Sequence, residues 1–493
     1  MHVNSPSMMN LHKQLFLSTI SPMKQTFAGG TMNIERTFRP YELDQMLLLP
    51  PSLKEWLPSG HLVYFVLDLI PKLNLKAIKE TYGGATRGNQ PYDPEMMVAL
   101  LLYAYCSGVF SSRKMSRRSE EDVAFRVLTG NQQPDFRTIS DFRKDHLESL
   151  KKLFVQVLKL CQKAGLVKLG HVAVDGTKIK ANASKHKAMS YDRMTKEEAR
   201  LKEEVEALLK KADDTDERED AEYGKDKRGD ELPPELAFRE SRLKKIQEAK
   251  EALEREAREE AEKKKAEIEA KESHGGRPPK KPDSVPAAKA QRNFTDPESR
   301  IMPSSGNKGS FDQAYNCQAA VDNKDQIIVA EDVTQQANDK QQAVPMLEQV
   351  KENTRKNPDQ ASLDAGYFSK DNVNNVKAMG IEPLIPPDRK EHGKNIPDAP
   401  RGPIPKDLSV IDQMRRKLRT KQGREDYSKR KETVEPVFGQ IKQGRGFRQF
   451  LLRGLRKVKG EWSLICTTHN LLKLWKAGGW VLIKPPGPRW AAG

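Results

Sequence analysis

Cysteine is scarce. The 493 residues hold four, Cys106, Cys161, Cys317 and Cys466, widely spaced and without a CxxC pair. That argues against both a zinc ribbon and a disulfide scaffold, so buried thiols in a reducing cytosol are expected. Long apolar runs are also lacking. None reaches the roughly 18 residues a membrane-spanning helix needs. The best, MMVALLLYAY, reads as a core helix. The first 31 residues have no cationic start followed by an apolar stretch, so no signal peptide is expected. MNIERTFRPYELDQM, from Met32, looks a more natural start, and residues 1–31 read as a disordered extension or a misassigned start.

What the chain has in quantity is positive charge. The formal net charge is +17, with 36% hydrophobic and 31% charged residues. This balance suits a soluble protein of roughly two to four domains. It points to a polyanionic partner, nucleic acid ahead of an acidic membrane surface, with an unspecific basic surface as the bland alternative.

Residues 32–165 read as mostly helical. Asp93–Pro94 opens one helix, two serines open the next, and DFRTISDFRKDHLESLKKLFVQVLKLCQKAG reads as another, with Leu150, Phe154, Val157 and Leu158 near helical spacing. Arg113, Lys114, Arg117 and Arg118 form a basic cluster, either a solvated face or a phosphate contact. At LVKLGHVAVDGTKIKA the pattern turns to β. From about Met194 to Lys271 it becomes a charged arm with two heptad series, predicting a helical hairpin or a dimeric coiled coil. Lys250 falls on one seam, so imperfect packing is expected there. HGGRPPKKP (274–282) reads as a basic linker or as a minor-groove hook built on Arg277. Strand signals resume at QAYNCQAAVD and DQIIVAEDV, and the order afterwards is α, β, α, β, α. Residues 389–424 read as a polar basic linker, with a last helical region from about Tyr427 to Lys476.

Three carboxylates stand out. Asp175 follows HVAV and Asp364 follows ASL, each with a glycine close behind that frees the chain to turn. Active sites gather at the C-terminal ends of such strands. Two adjacent carboxylates repel unless a cation lies between them, and a divalent metal meets that need. Glu435 is the third. It lies in residues 401–460, which carry 18 Lys or Arg against 6 Asp or Glu, a net +12, suited to chemistry on a polyanion.

VDGTKIKAN, YNCQAAVD, LDAGYFS and VEPVFGQIK, in this order, resemble the DDE transposases of bacterial insertion sequences, most closely insertion-sequence family eleven-eighty-two. The resemblance runs from about Thr37 to Trp475. It implies a multi-domain α/β protein with a ribonuclease-H-like mixed-sheet core (166–190 and 290–476) behind a helical DNA-binding domain (32–165); the charged helical insertion (191–289), read from the residues, departs from the family, and a tail (477–493) follows. It also implies that Asp175, Asp364 and Glu435 bind two Mg²⁺ ions, or Mn²⁺ in substitution. The family's spacing around the glutamate is Tyr, two residues, Arg, three residues, Glu, six residues, Lys. Tyr427 and Arg430 fit the first interval, and Glu435 and Lys442 the last; the middle one is a residue too long. Either Arg430 or Lys431 could then be the phosphate ligand, and Glu432 rivals Glu435. Pro436 implies that a helix kinks or starts beside Glu435; a start would place that carboxylate at the positive end of the helix dipole.

The expected activity is metal-assisted strand cleavage and strand transfer on double-stranded DNA at the element ends, by a homodimer or higher oligomer in the cytoplasm. Tyr427, Arg430, Lys431, Lys442 and Lys178 are expected to position phosphates, and Arg277 to contact DNA. The rivals are a metal-dependent nuclease without joining activity and a decayed DNA-bridging protein. Asp175 and Asp364 are 189 residues apart because the arm interrupts the core after its first strand.

Overall fold

The computed structural model describes residues 52–82, 90–223, 234–269, 282–304, 309–388, 399, 402–405 and 407–479. Residues 1–31, Arg277 with its linker and the end of the tail lie outside the described residues.

Helices lead the chain: α1 (Leu62–Leu69), α2 (Lys76–Lys79), α3 (Pro94–Cys106), α4 (Ser112–Glu121), α5 (Val123–Leu128), α6 (Phe136–Asp145), α7 (Leu147–Lys151) and α8 (Leu153–Lys163). Asp93 starts α3 as the sequence predicts. Its side chain accepts from the N–H groups of Glu95 and Met96, and Pro94 takes the first helical position, where no N–H is needed. From Met97 to Cys106 every α3 residue is buried. The single helix expected over 135–165 is three, broken at His146 and Lys152. In the basic cluster, Arg117 pairs with Glu121 and Arg118 with Asp122, while Arg113 lies over the Phe136 ring.

The main sheet has six strands: β1 (His171–Lys180), β4 (Arg300–Pro303), β5 (Phe311–Asp322), β6 (Ile327–Thr334), β7 (Gln360–Leu363) and β8 (Glu382–Leu384). β5 pairs antiparallel with β1 on one edge, and with β4 and then β6 along the other. β7 and β8 follow on the far side of β1, parallel to it. This is a mixed sheet in which four strands joined by antiparallel pairings lead into two parallel ones. Helices α11 (Ala343–Thr354) and α12 (Lys370–Ala378) make the connections to the parallel strands. β4 and the small pair β2 (Ala188–Ser190) and β3 (Gln291–Asn293) carry no signal that the sequence reading caught.

The insertion forms two long helices, α9 (Tyr191–Tyr223) and α10 (Pro234–Glu269). Bridges from Glu204 to Arg239, Glu198 to Lys250 and Tyr191 to Glu254 show that they run antiparallel, the hairpin alternative. Met194, Leu201, Ile246 and Leu253 form their buried seam. Lys250 does not spoil it, because the ammonium meets Glu198 at 2.8 Å and keeps its stem against the seam.

The polar linker expected up to residue 424 is partly helical. α13 (Val410–Arg419) and α14 (Lys421–Gly439) precede α15 (Leu455–Lys476), a largely buried helix. α15 packs on α3, α7, α8 and β6, so helices and sheet share one core. Trp462 is fully buried and donates its Nε1–H to the Gln318 carbonyl on β5 at 3.1 Å. Trp462→Ala is expected to lower the unfolding free energy by about 3–5 kcal/mol through cavity formation. A urea titration followed by circular dichroism measures this.

Candidate active site

Asp175 lies in the middle of β1, not at its end. The strand continues, paired with β5, as far as Lys180↔Ala314. Gly176 therefore makes no turn, and it is not among the residues with positive φ. It is glycine because of crowding. A Cβ there would lie 2.5 Å from Asp339 Oδ1, 2.5 Å from Gln318 Nε2 and 2.9 Å from Asn316 Oδ1. Asp364 does end its strand. It caps a short 3-10 turn, Oδ1 accepting from the Gly366 N–H at 2.8 Å.

The register sets the two carboxylates side by side. Val174 pairs with Leu363 across parallel strands, so Asp175 and Asp364 are the next residues on neighbouring strands. Asp175 is only 18% exposed. Burial, with a contribution from Asp364, pushes its carboxyl up to about 6 against the downward pull of Arg430. Arg430 Nη1 donates to Asp175 Oδ2 at 2.8 Å, and Nη2 lies 3.9 Å from Glu435 Oε1. Its Nε is buried without a partner. A guanidinium thus spans Asp175 and Glu435, whereas the sequence pointed to a cation between Asp175 and Asp364.

α14 supplies this group. It starts at Lys421, where the Thr420 side chain accepts from the Gly423 N–H, and Pro436 sits inside it. The start expected at that point is therefore not found. Glu435 lies near its C-terminal end, which removes the dipole argument. Proline lacks the N–H that would bond the carbonyl four residues earlier. That carbonyl, of Glu432, accepts instead from Gln326 Nε2 at 2.9 Å. The regular helix gives way one turn later, in a π-turn over Gln440–Gly444.

Of the rival residues, Arg430 reaches Asp175 while Lys431 is exposed; Glu432 and Glu435 are both exposed, and Glu435 lies 3.9 Å from Arg430. Tyr427 is half-buried beside Arg430, and burial raises its phenol. Lys442, its ammonium lowered by burial, donates to the Lys178 carbonyl at 3.1 Å. Lys178 lies 3.5 Å from Asp339. Sequence reasoning passed over Asp339, and it gave Gln318 no role although that residue lies within YNCQAAVD.

Among the described residues, no group of three or more His, Cys, Asp or Glu side chains converges as a preformed metal cage. The donor set is nonetheless all oxygen, and the arginine already neutralising it shows that a cation is accepted there, which fits a hard divalent ion.

Residues 51–145 match the family described as Transposase domain (DUF772), and residues 283–471 match the Transposase DDE domain. No curated protein and no solved structure matches the chain. The chain thus carries a DDE transposase domain. The second match, in the helices that precede it, supports a transposase of the insertion-sequence kind. The DDE match contains Asp364, Arg430 and Glu435 and starts beyond the two long helices of the insertion, so Asp175 lies outside it.

Gly176→Ala tests the packing account. It is expected to cost about 1–3 kcal/mol by overpacking, read as a lower urea midpoint. A neutral outcome would mean that Asp339 and Gln318 move aside freely.

Proposed function

We propose that the chain binds the terminal inverted repeats of an insertion sequence of family eleven-eighty-two, and cuts and joins DNA strands at a site built on Asp175, Asp364 and Glu435. The observation that carries this reading is the pairing of two carboxylate-bearing strands with Arg430 spanning Asp175 and Glu435. The strand order β6-β5-β1-β7-β8, antiparallel as far as β1 and parallel beyond it, supports a ribonuclease-H-like core. Asp175, Asp364 and Glu435 would hold Mg²⁺, or Mn²⁺ in its place. When bound, such ions supply Lewis-acid activation of a phosphodiester.

The chain's own residues do the rest. Arg430, with its buried unpartnered Nε, is poised to exchange Asp175 for a phosphate oxygen. Tyr427, Lys442 and Lys178 line the approach and hold the backbone. Exposed Lys431 meets DNA farther out. Arg277 contacts DNA from the linker, and the helices of residues 52–165 read the element end. Two or more copies assemble around paired ends in the cytoplasm.

Asp364→Ala and Asp175→Ala are expected to abolish strand cleavage and the joining of pre-cut ends, while gel-shift affinity for the element end persists. Near-normal cleavage by Asp364→Ala sinks the assignment. The pH dependence has a definite sign. Below about 6 Asp175 keeps its proton and offers a cation no charge, so Mn²⁺ affinity measured by isothermal titration falls as pH drops through about 6. Unchanged affinity from pH ~7.5 to ~5, a window that brackets this titration, would remove Asp175 from the binding set.

A further inference from the structure

A fourth carboxylate stands beside the site, on the segment between β6 and α11. Asp339 Oδ1 accepts from Asn316 Nδ2 at 2.6 Å and from Gln318 Nε2 at 2.7 Å, and lies 3.5 Å from Lys178 Nζ. Asp339 is 17% exposed and Lys178 18%. Both amide donors stand on β5, opposite Lys178 and Gly176 of β1. Gln318 is itself fixed, its Oε1 accepting from the Tyr367 hydroxyl and its carbonyl from Trp462. The carboxylate therefore has two short, rigid bonds and one longer contact with an ammonium.

We propose that Asp339 is a positioning residue that tethers Lys178 at the edge of the site and masks its charge until a DNA phosphate takes the lysine over. Three features carry this. Lys178 lies beyond the usual distance of a direct N–H···O bond, so charge holds it and a phosphate oxygen can compete. Asp339 cannot follow the lysine outward, because Asn316 and Gln318 anchor it from below. Lys178 is also pinned through its backbone, since its carbonyl accepts from Lys442, so only the side chain is free to turn. The mask matters because an uncovered lysine on the same strand as Asp175 would bind any passing phosphate. The masked one responds to a phosphate already steered into place by Arg430 and Lys442.

The inference rests on the reading that this site takes DNA, and equilibrium binding separates the two. Wild type, Asp339→Asn, Lys178→Gln and the double variant are titrated with duplex DNA across a range of salt concentrations. The asparagine keeps an acceptor for both amides and removes the charge. Asp339→Asn is expected to bind severalfold tighter at low salt because the lysine no longer has to leave a carboxylate, with the wild-type salt slope kept, whereas Lys178→Gln lowers that slope by ~0.9, the mark of one lost phosphate contact. Lys178→Gln should abolish that gain, making the double variant equal to Lys178→Gln alone. A defect in folding would weaken binding, so a gain cannot come from structural damage. If Asp339→Asn does not fold, Asp339→Ser takes its place. The loss on Lys178→Gln, smaller in wild type than in the Asp339→Ser background, then gives the same comparison. Unchanged affinity in the Asp339 variants, or a gain that survives Lys178→Gln, overturns the inference and leaves the DNA reading intact. Failure of the wild-type chain to bind DNA overturns both.

Discussion

The parallel pairing of β1 with β7 is the constraint from which the site follows. It sets Asp175 and Asp364 at the same level on adjacent strands, one of them nearly enclosed. Two carboxylates so placed cannot both stay ionised without a positive group. Arg430 provides one, and that requirement determines the position of α14. The helix must pass close enough for a guanidinium to reach Asp175, and Glu435 arrives with it.

Beneath this pair the sheet is organised by close approach. Gly176 leaves room for Asp339, Gln318 and Asn316, and Gln318 links that pocket to Tyr367 and to Trp462 on α15. Buried polar groups are tolerable when each finds a partner, and most here do. The unpaired Arg430 Nε and Asn316 Oδ1 flank the site, where a bound phosphate or cation changes the accounting.

Much of this was readable in the chain. The order of strands and helices follows from the apolar periodicity, and the two aspartates are visible as charges ending apolar runs. The hairpin seam shows in Met194, Leu201, Ile246 and Leu253. Other features depend on contacts far apart in sequence. Gly176 reads locally as a turn former, and only the arrival of Asp339, 163 residues later, explains it. Pro436 reads as a helix breaker because the donor that satisfies Glu432 comes from Gln326, on another element. Lys250 reads as a flaw because Glu198 lies on the opposing helix. Each error replaced a tertiary partner with a local rule.

Gln326 does more than repair a helix. This residue of the β5–β6 turn, at φ 58°, gives its side-chain oxygen to Lys473 and its carbonyl to His469, both on α15. The amide that meets Glu432 thus belongs to a residue bonded to the last helix as well. One turn residue is the fulcrum for α14, α15 and the β5–β6 hairpin. A change at this one turn residue therefore reaches the helix that carries Arg430 and Glu435 and the last helix together.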